Sequence, residues 1–172
     1  MNIRIIRILA AAGSLAAVGA ITASGVSAAS AAPGKPTAPS GTEHLQLVSS
    51  SATANTAPVI AYGLFTAGGT DHMGNTVDKF VFPGGSFKVW HSNGTGTPHF
   101  NTKTCLLTAT IRGTIKIYGG TGKYAGIKGH GTYVFTWLAI AKRKANGSCN
   151  TSQNALPAAV QQIIKGTASV KL

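Results

Sequence analysis

Glycine is concentrated in one short stretch, residues 119–131, where it occupies six of thirteen positions. Segments of strand-like composition lie on both sides, residues 115–117 before the stretch and residues 132–137 after it. Glycine adopts positive φ angles and permits close approach of another backbone without steric cost. The stretch therefore predicts a tight, irregular loop between two β-strands, and it constrains the fold more than any other part of the chain.

The same stretch has a superficial similarity to nucleotide-binding loops, but its context argues against that function. Tyr124 follows Gly122-Lys123 at the position where a phosphate-binding loop carries a magnesium-binding Ser or Thr. A dinucleotide fingerprint needs a helix after its glycines and an acidic residue about 20 positions later, and the sequence offers neither. We expect no nucleotide cofactor. Lys123 and Tyr124 are instead predicted to pack at one end of the fold, with Tyr124 as a plug.

The N-terminal residues have the pattern of a secretory signal peptide. Arg4 and Arg7 precede an apolar run over residues 8–21, and small residues around Ala28 and Ala31 provide cleavage sites. The alternative is a membrane anchor, but glycine and serine interrupt the run, which is short for a span of about 20 residues. We predict a signal peptide over residues 1–31, a flexible linker over 32–41 and one domain over 42–172. The mature protein is expected to be secreted and to contain no transmembrane segment.

The charge of the chain is strongly unbalanced. Fifteen Lys and Arg residues face three acidic residues, for a formal net charge of +12. Such a balance favours contact with polyanions, so an anionic cell-wall polymer is a candidate partner. Nucleic acid is not expected, because the chain has an export signal and no nucleic-acid-binding motif. The one basic run, residues 142–144, is interpreted as a solvated hairpin tip, and a polyanion site there remains the alternative.

Period-two patterns continue through most of the chain after His44, without a convincing amphipathic helix. About eight strands with intervening turns predict an antiparallel barrel or sandwich. Residues 67–69 are expected to form a turn, and Gly113 is expected to mark a bulge or bend within a long strand. Cys105 and Cys149 are predicted to form a disulfide, since an isolated pair in an exported chain most often does; a reactive thiol is the alternative.

Three segments carry a resemblance to a known family. Residues 117–126, Ile-Tyr-Gly-Gly-Thr-Gly-Lys-Tyr-Ala-Gly, resemble the GGTGKF-type segment of dirigent proteins and allene oxide cyclases. Residues 78–85, Asp-Lys-Phe-Val-Phe-Pro-Gly-Gly, and residues 100–105 are similar to segments of secreted bacterial proteins of the allene oxide cyclase barrel-like group. The resemblance covers nearly the whole chain from about Thr42. It implies an all-β, eight-stranded antiparallel calycin-like barrel whose interior holds small hydrophobic molecules, and plant relatives of this fold form trimers. The residues quoted as markers of this fold are Gly119, Gly120, Gly122, Lys123, Tyr124 and Gly126.

Few residues are candidates for catalysis. Asp78 is the one acid in a clearly predicted strand, whereas Asp71 beside His72 is expected in a turn, so a catalytic carboxylate pair is not predicted. The five histidines lack metal-ligand spacing, and no metal site is expected. His91 and His99 flank one loop, and their meeting in space is left as an alternative.

Aromatic residues on strand faces are the better candidates for binding. An eight-stranded barrel is just wide enough to be filled by side chains or to hold one small ligand, so both outcomes stay open. The first hypothesis is a non-enzymatic barrel that binds a small hydrophobic ligand or a cell-envelope component. The alternatives are an isomerase or dirigent-like protein that steers a reactive intermediate, and a polyanion-adhering surface protein. The candidate ligand-binding residues are Phe80, Phe82, Phe87, Tyr133, Phe135 and Trp137.

Overall fold

The computed structural model describes residues 37–152 and 154–172, and the predicted signal peptide lies outside them. The described part is almost entirely β-structure, with one short 3-10 helix at Gly122–Tyr124. Its strands are β1 (Ser40–Ser49), β2 (Thr56–Gly63), β3 (Ala67–His72), β4 (Val77–Phe82), β5 (Gly85–His91), β6 (Pro98–Asn101), β7 (Leu106–Tyr118), β8 (Lys128–Ile140) and β9 (Ala159–Lys171). None of the described helices is long and apolar enough to cross a membrane.

The strands form a closed antiparallel barrel. Neighbours in the sheet follow the order β5-β4-β3-β2-β1-β9-β8-β7-β6, and an additional pairing of β5 with β7 closes a ring of eight strands. The ninth strand, β6, pairs with β7 beyond β5, opposite residues 106–109. The prediction of an all-β, eight-stranded antiparallel barrel is confirmed. Closure removes the two edges that the eight ring strands would have in an open sheet, and β6 lies outside the ring.

Some element boundaries differ from those that the sequence predicts. The expected turn at residues 67–69 is wrong, because these residues begin β3 and pair with β2. The glycines there show no alternation of apolar and polar residues. Their strand conformation is evident only from the hydrogen bonds to β2. β1 begins at Ser40, inside the range expected to be a linker, since Ser40 and Gly41 pair with Lys171 and Val170 of β9.

The glycine-rich stretch closes one end of the barrel, as predicted. Tyr124 is 2% exposed, and its ring centroid lies 5.1 Å from that of Phe65 and 5.5 Å from that of Phe87. The loop reaches this position because Gly122 has a φ of 56° and the backbone N–H of Lys123 donates to the carbonyl of Gly84 at 2.9 Å. A Cβ on Gly122 would overlap that same carbonyl oxygen, so glycine is required for this close approach.

The predicted disulfide is confirmed. Cys105 and Cys149 are bonded, with their Cα atoms 5.4 Å apart and a sequence separation of 44. The bond ties the residue that precedes β7 to the connection between β8 and β9. On the loop-entropy argument a bridge of this span contributes about 4 kcal/mol to the free energy of unfolding.

Candidate ligand cavity

The half of the barrel away from Tyr124 contains a cavity of about 240 Å³. Met73 and Gly74 of the β3–β4 connection belong to its wall, so it lies towards the end of the barrel that carries that connection. Most of the lining is apolar, and a smaller polar group interrupts it. The apolar side chains are Leu45, Leu47, Met73, Phe80, Val89, Ile115, Phe135 and Ile164; the polar ones are Asp78, His91, Tyr133 and Gln162.

The six aromatic candidates divide between two environments. Phe80, Tyr133 and Phe135 line the cavity. Phe82 and Phe87 are buried against Tyr124 and fill the closed end. Trp137 pairs with Ala109 of β7 and Gln162 of β9, and it does not line the cavity. The barrel is therefore filled at one end and hollow at the other.

Gly113 makes room for Tyr133 and does not interrupt the pairing of its strand. The register between β7 and β8 runs without interruption from Leu106 opposite Ile140 to Ile117 opposite Gly129, so the predicted bulge is wrong. A Cβ on Gly113 would overlap the Tyr133 ring. The Tyr133 hydroxyl donates to the Ser92 carbonyl oxygen at 2.9 Å, and burial raises the pKa of this phenol.

Asp78 and His91 form the polar edge of the cavity. His91 Nε2 lies 3.6 Å from Asp78 Oδ1, and the backbone N–H of Gly74 donates to the same oxygen at 2.8 Å. The pKa of His91 is raised above its usual value, first because the Asp78 carboxylate lies beside the ring, and burial only partly opposes that increase. The strand position predicted for Asp78 is confirmed, and its side chain faces the interior.

His91 and His99 do not meet. His91 lies opposite Ile115 of β7, whereas His99 lies opposite Thr108 of the same strand. Seven residues of strand separate these two positions, which is about 23 Å at roughly 3.3 Å per residue. The idea of a histidine pair is therefore wrong, and His91 has Asp78 as its partner instead. Among the described residues, no three His, Cys, Asp or Glu side chains come together as metal ligands would.

Asp71 is the residue that sequence reasoning missed. It lies in β3 opposite Phe80 and not in the expected turn, and its side chain is fully buried. Neither carboxylate oxygen has a hydrogen-bond partner among the described residues. Burial, reinforced by the charge of Asp78, raises the pKa of Asp71 to about 8, while the charge of His91 acts in the opposite direction. Asp78 and His91 thus lie on the cavity wall, and Asp71 is buried close enough to interact electrostatically with both.

The third acid, Glu43, is also inside the barrel. It lies in β1 with no exposed surface, and one carboxylate oxygen accepts the backbone N–H of Phe65 at 3.1 Å. Burial raises its pKa, and the N–H of Phe65 counteracts this increase. All three acids of the chain therefore point into the barrel. Because these carboxylates occupy interior positions, their strands lack a regular alternation of apolar residues. For this reason Glu43 and Asp71 were not expected in the interior.

The group can place a proton donor beside a polar atom of a bound molecule. Protonated His91, which its raised pKa favours, supplies an N–H donor. Asp78 supplies an acceptor, and so does the Tyr133 oxygen, whose one hydrogen is already donated to Ser92. In comparisons with known proteins, no family model, curated protein or solved structure matched the chain. Function is therefore inferred from the geometry of the cavity.

Proposed function

We propose that this protein is an allene oxide cyclase-like or dirigent-like barrel that binds one small, mostly apolar molecule in its cavity. The observation that carries the proposal is the cavity of about 240 Å³, which is walled by aliphatic and aromatic side chains along most of its surface. The resemblance of residues 78–85 and 117–126 to that group supports the same assignment.

The volume limits the size of the ligand. An engineered apolar cavity of roughly 150 Å³ binds benzene, and sites for drug-sized ligands begin near 300 Å³. A cavity between these values suits a molecule of one or two rings, or a short branched chain. The polar edge gives it an orientation, with an oxygen or nitrogen of the ligand facing Asp78, His91 and Tyr133.

To test this proposal, the protein is purified from the culture medium of its own host and examined for a bound ligand. Native mass spectrometry should reveal a bound small molecule. The stripped protein should take up naphthalene at one molecule per chain; this two-ring probe is uncharged, so the basic surface does not attract it. Absence of both an endogenous ligand and stoichiometric uptake would contradict the proposal.

A matched pair of variants locates the binding. Gly166 faces the cavity, with Ile115 Cδ1 3.3 Å from the position of a Cβ, whereas a Cβ on Gly68 would have no atom within 4 Å. Gly166→Leu should fill part of the cavity and reduce probe affinity at least about tenfold, the equivalent of roughly 1.4 kcal/mol. Gly68→Leu should leave the affinity unchanged, and an equal loss in both variants would count against binding inside the barrel.

A second candidate function is that of an isomerase or cyclase that steers a reactive intermediate. The observation that favours it is the Asp78–His91 pair on the cavity wall with Asp71 behind it, since positioned acid–base groups are what proton transfer requires. Extract of the host culture can be incubated with the wild type and with Asp78→Asn and His91→Gln. We expect a product that has the same mass as its substrate and forms only with the wild type. If no such product forms from any compound in the extract, ligand binding is the function that the cavity supports.

A further inference from the structure

The fold gathers lysines that are scattered in sequence onto one outer surface of β4, β5, β7, β8 and β9. Lys79 lies opposite Lys88, and Lys128 lies opposite Lys171. Lys116 lies between Trp90 on one side and His130 on the other, and Lys88 is opposite Tyr118. We call this surface the basic face; it comprises Lys79, Lys88, Lys116, Lys128 and Lys171 with Trp90, Tyr118 and His130.

The charges of the basic face are not neutralised by neighbouring side chains. Like charges placed directly opposite each other on adjacent strands destabilise a sheet, and this face has two such lysine pairs. The three acids of the chain cannot compensate them, because Glu43 and Asp71 are fully buried and Asp78 lines the cavity. An external polyanion would relieve this repulsion.

The shape of the basic face favours a chain-like ligand. A groove of about 960 Å³ runs along it between Trp90, Lys116, Tyr118, Lys128, His130 and Lys171. Trp90 is 39% exposed although it is a large aromatic residue. Lysine ammonium groups bind phosphates as point charges, and aromatic faces beside them can cover the apolar parts of the units between phosphates.

We propose that the basic face binds an extended cell-envelope polymer in which phosphodiesters link sugar or polyol units. Charge complementarity carries this choice of partner, and the export expected from the N-terminal sequence places such a polymer within reach. A bilayer is the less suitable partner, because Trp90 is the one large hydrophobic residue exposed among those of the basic face, and others such as Ile60 and Tyr62 lie on β2, outside it. The site is independent of the cavity, since it uses the outward-pointing residues of strands whose inward-pointing residues line the cavity.

The test compares two variants of equal charge change. Lys88→Gln/Lys116→Gln/Lys128→Gln alters the basic face. The control is Lys103→Gln/Lys142→Gln/Lys144→Gln. These three lysines are exposed and lie beyond the ends of β7 and β8 that are farther from the basic face, and each strand spans 13 residues. Binding of the mature chain to purified poly(glycerol phosphate) is measured across a salt series by sedimentation, and circular dichroism checks the fold of both variants.

We expect saturable binding by the wild type that weakens steeply with salt. The basic-face variant should bind at least about tenfold more weakly, and the slope of log affinity against log salt should fall by about 2, since each phosphate contact contributes roughly 0.7. The control should lose less than about threefold at moderate salt, the effect of net charge alone. If the triple variant does not fold, Lys88→Gln and Lys128→Gln singly, which each break one opposed lysine pair, provide the same comparison.

Three outcomes would overturn the proposal. An equal or larger loss in the control would show that net charge or the basic run 142–144, and not this face, holds the polymer. Tighter binding of single-stranded DNA, or of vesicles of phosphatidylglycerol, would assign the face to a different partner. Absence of saturable binding to poly(glycerol phosphate) at low salt would remove the polymer as a ligand.

Discussion

Gly113 of β7 lies opposite Tyr133 of β8, and the space that a side chain on Gly113 would fill holds the tyrosine ring. The ring in turn lines the cavity and donates its hydroxyl hydrogen to Ser92. A residue without a side chain thus sets the position of one wall of the cavity. Through the hydrogen bond to Ser92, Tyr133 also joins the connection after β5 to the interior of the barrel.

The first prediction concerns this pair. Gly113→Ala should lower the free energy of unfolding by about 1–3 kcal/mol, the usual cost of overpacking, because the new methyl group overlaps the Tyr133 ring. It should also weaken probe binding in the cavity. Gly68→Ala, where a Cβ meets nothing within 4 Å, is the control and should change stability by less than about 0.5 kcal/mol. Urea unfolding of both variants measures the difference, and equal effects would contradict the packing argument.

A second prediction follows from the buried Asp71. Its pKa rises from 3.8 to about 8 on folding, so between these values the folded protein holds a proton that the unfolded chain releases. Stability should therefore fall as pH rises through this window and level off above it. Asp71→Asn has no proton to lose, and at about pH 8.5 it should be more stable than the wild type by on the order of 2 kcal/mol.

The pH dependence distinguishes this mechanism from a simple packing effect. Thermal unfolding of the wild type and Asp71→Asn is compared at about pH 4 and about pH 8.5, on either side of the window. The advantage of the variant should grow with pH. A difference in stability that is the same at both pH values would show that Asp71 does not titrate as the burial of its carboxylate implies.

A third prediction concerns the His91 imidazole. The Asp78 carboxylate beside the ring is the main reason for its raised pKa, so Asp78→Asn should lower that pKa. Titration of the ring resonances by NMR, with His91→Gln used for assignment, measures the change. Asp71→Asn is the control and should have a smaller effect, because the charge of Asp71 is the smallest of the contributions to the His91 pKa. An unchanged His91 pKa in Asp78→Asn would contradict the pairing.

A fourth prediction separates the two contributions of Tyr124. Its hydroxyl oxygen is buried without a hydrogen-bond partner among the described residues, so Tyr124→Phe should be as stable as the wild type, within about 1 kcal/mol, or more stable. Tyr124→Ala removes the ring that contacts Phe65, Phe82 and Phe87 and should cost about 3–5 kcal/mol. Chemical denaturation measures both, and a large loss in Tyr124→Phe would show that the hydroxyl is needed.

Local signals were sufficient for much of the fold. Alternating apolar residues around Phe87 and Val89, the glycine-rich loop and the cysteine pair each depend on neighbours in sequence or on a small number of possible partners. β3 had no such signal, because its Gly-Gly-Thr-Asp segment is held by pairing with β2 and β4. Asp71 was consequently expected in a turn, and its proximity to His91 could not be anticipated.

By itself, the sequence determined that the chain is rich in β-strands, carries a basic excess and turns tightly at residues 119–131. Only the tertiary structure decided which faces those residues share. Closure of the barrel placed Asp71 and Asp78 near His91 and left one end hollow, and antiparallel pairing brought Lys128 opposite Lys171. The physical reason is that interior and exterior alternate along every strand, whereas the register that aligns distant strands is set by hydrogen bonding across the whole ring.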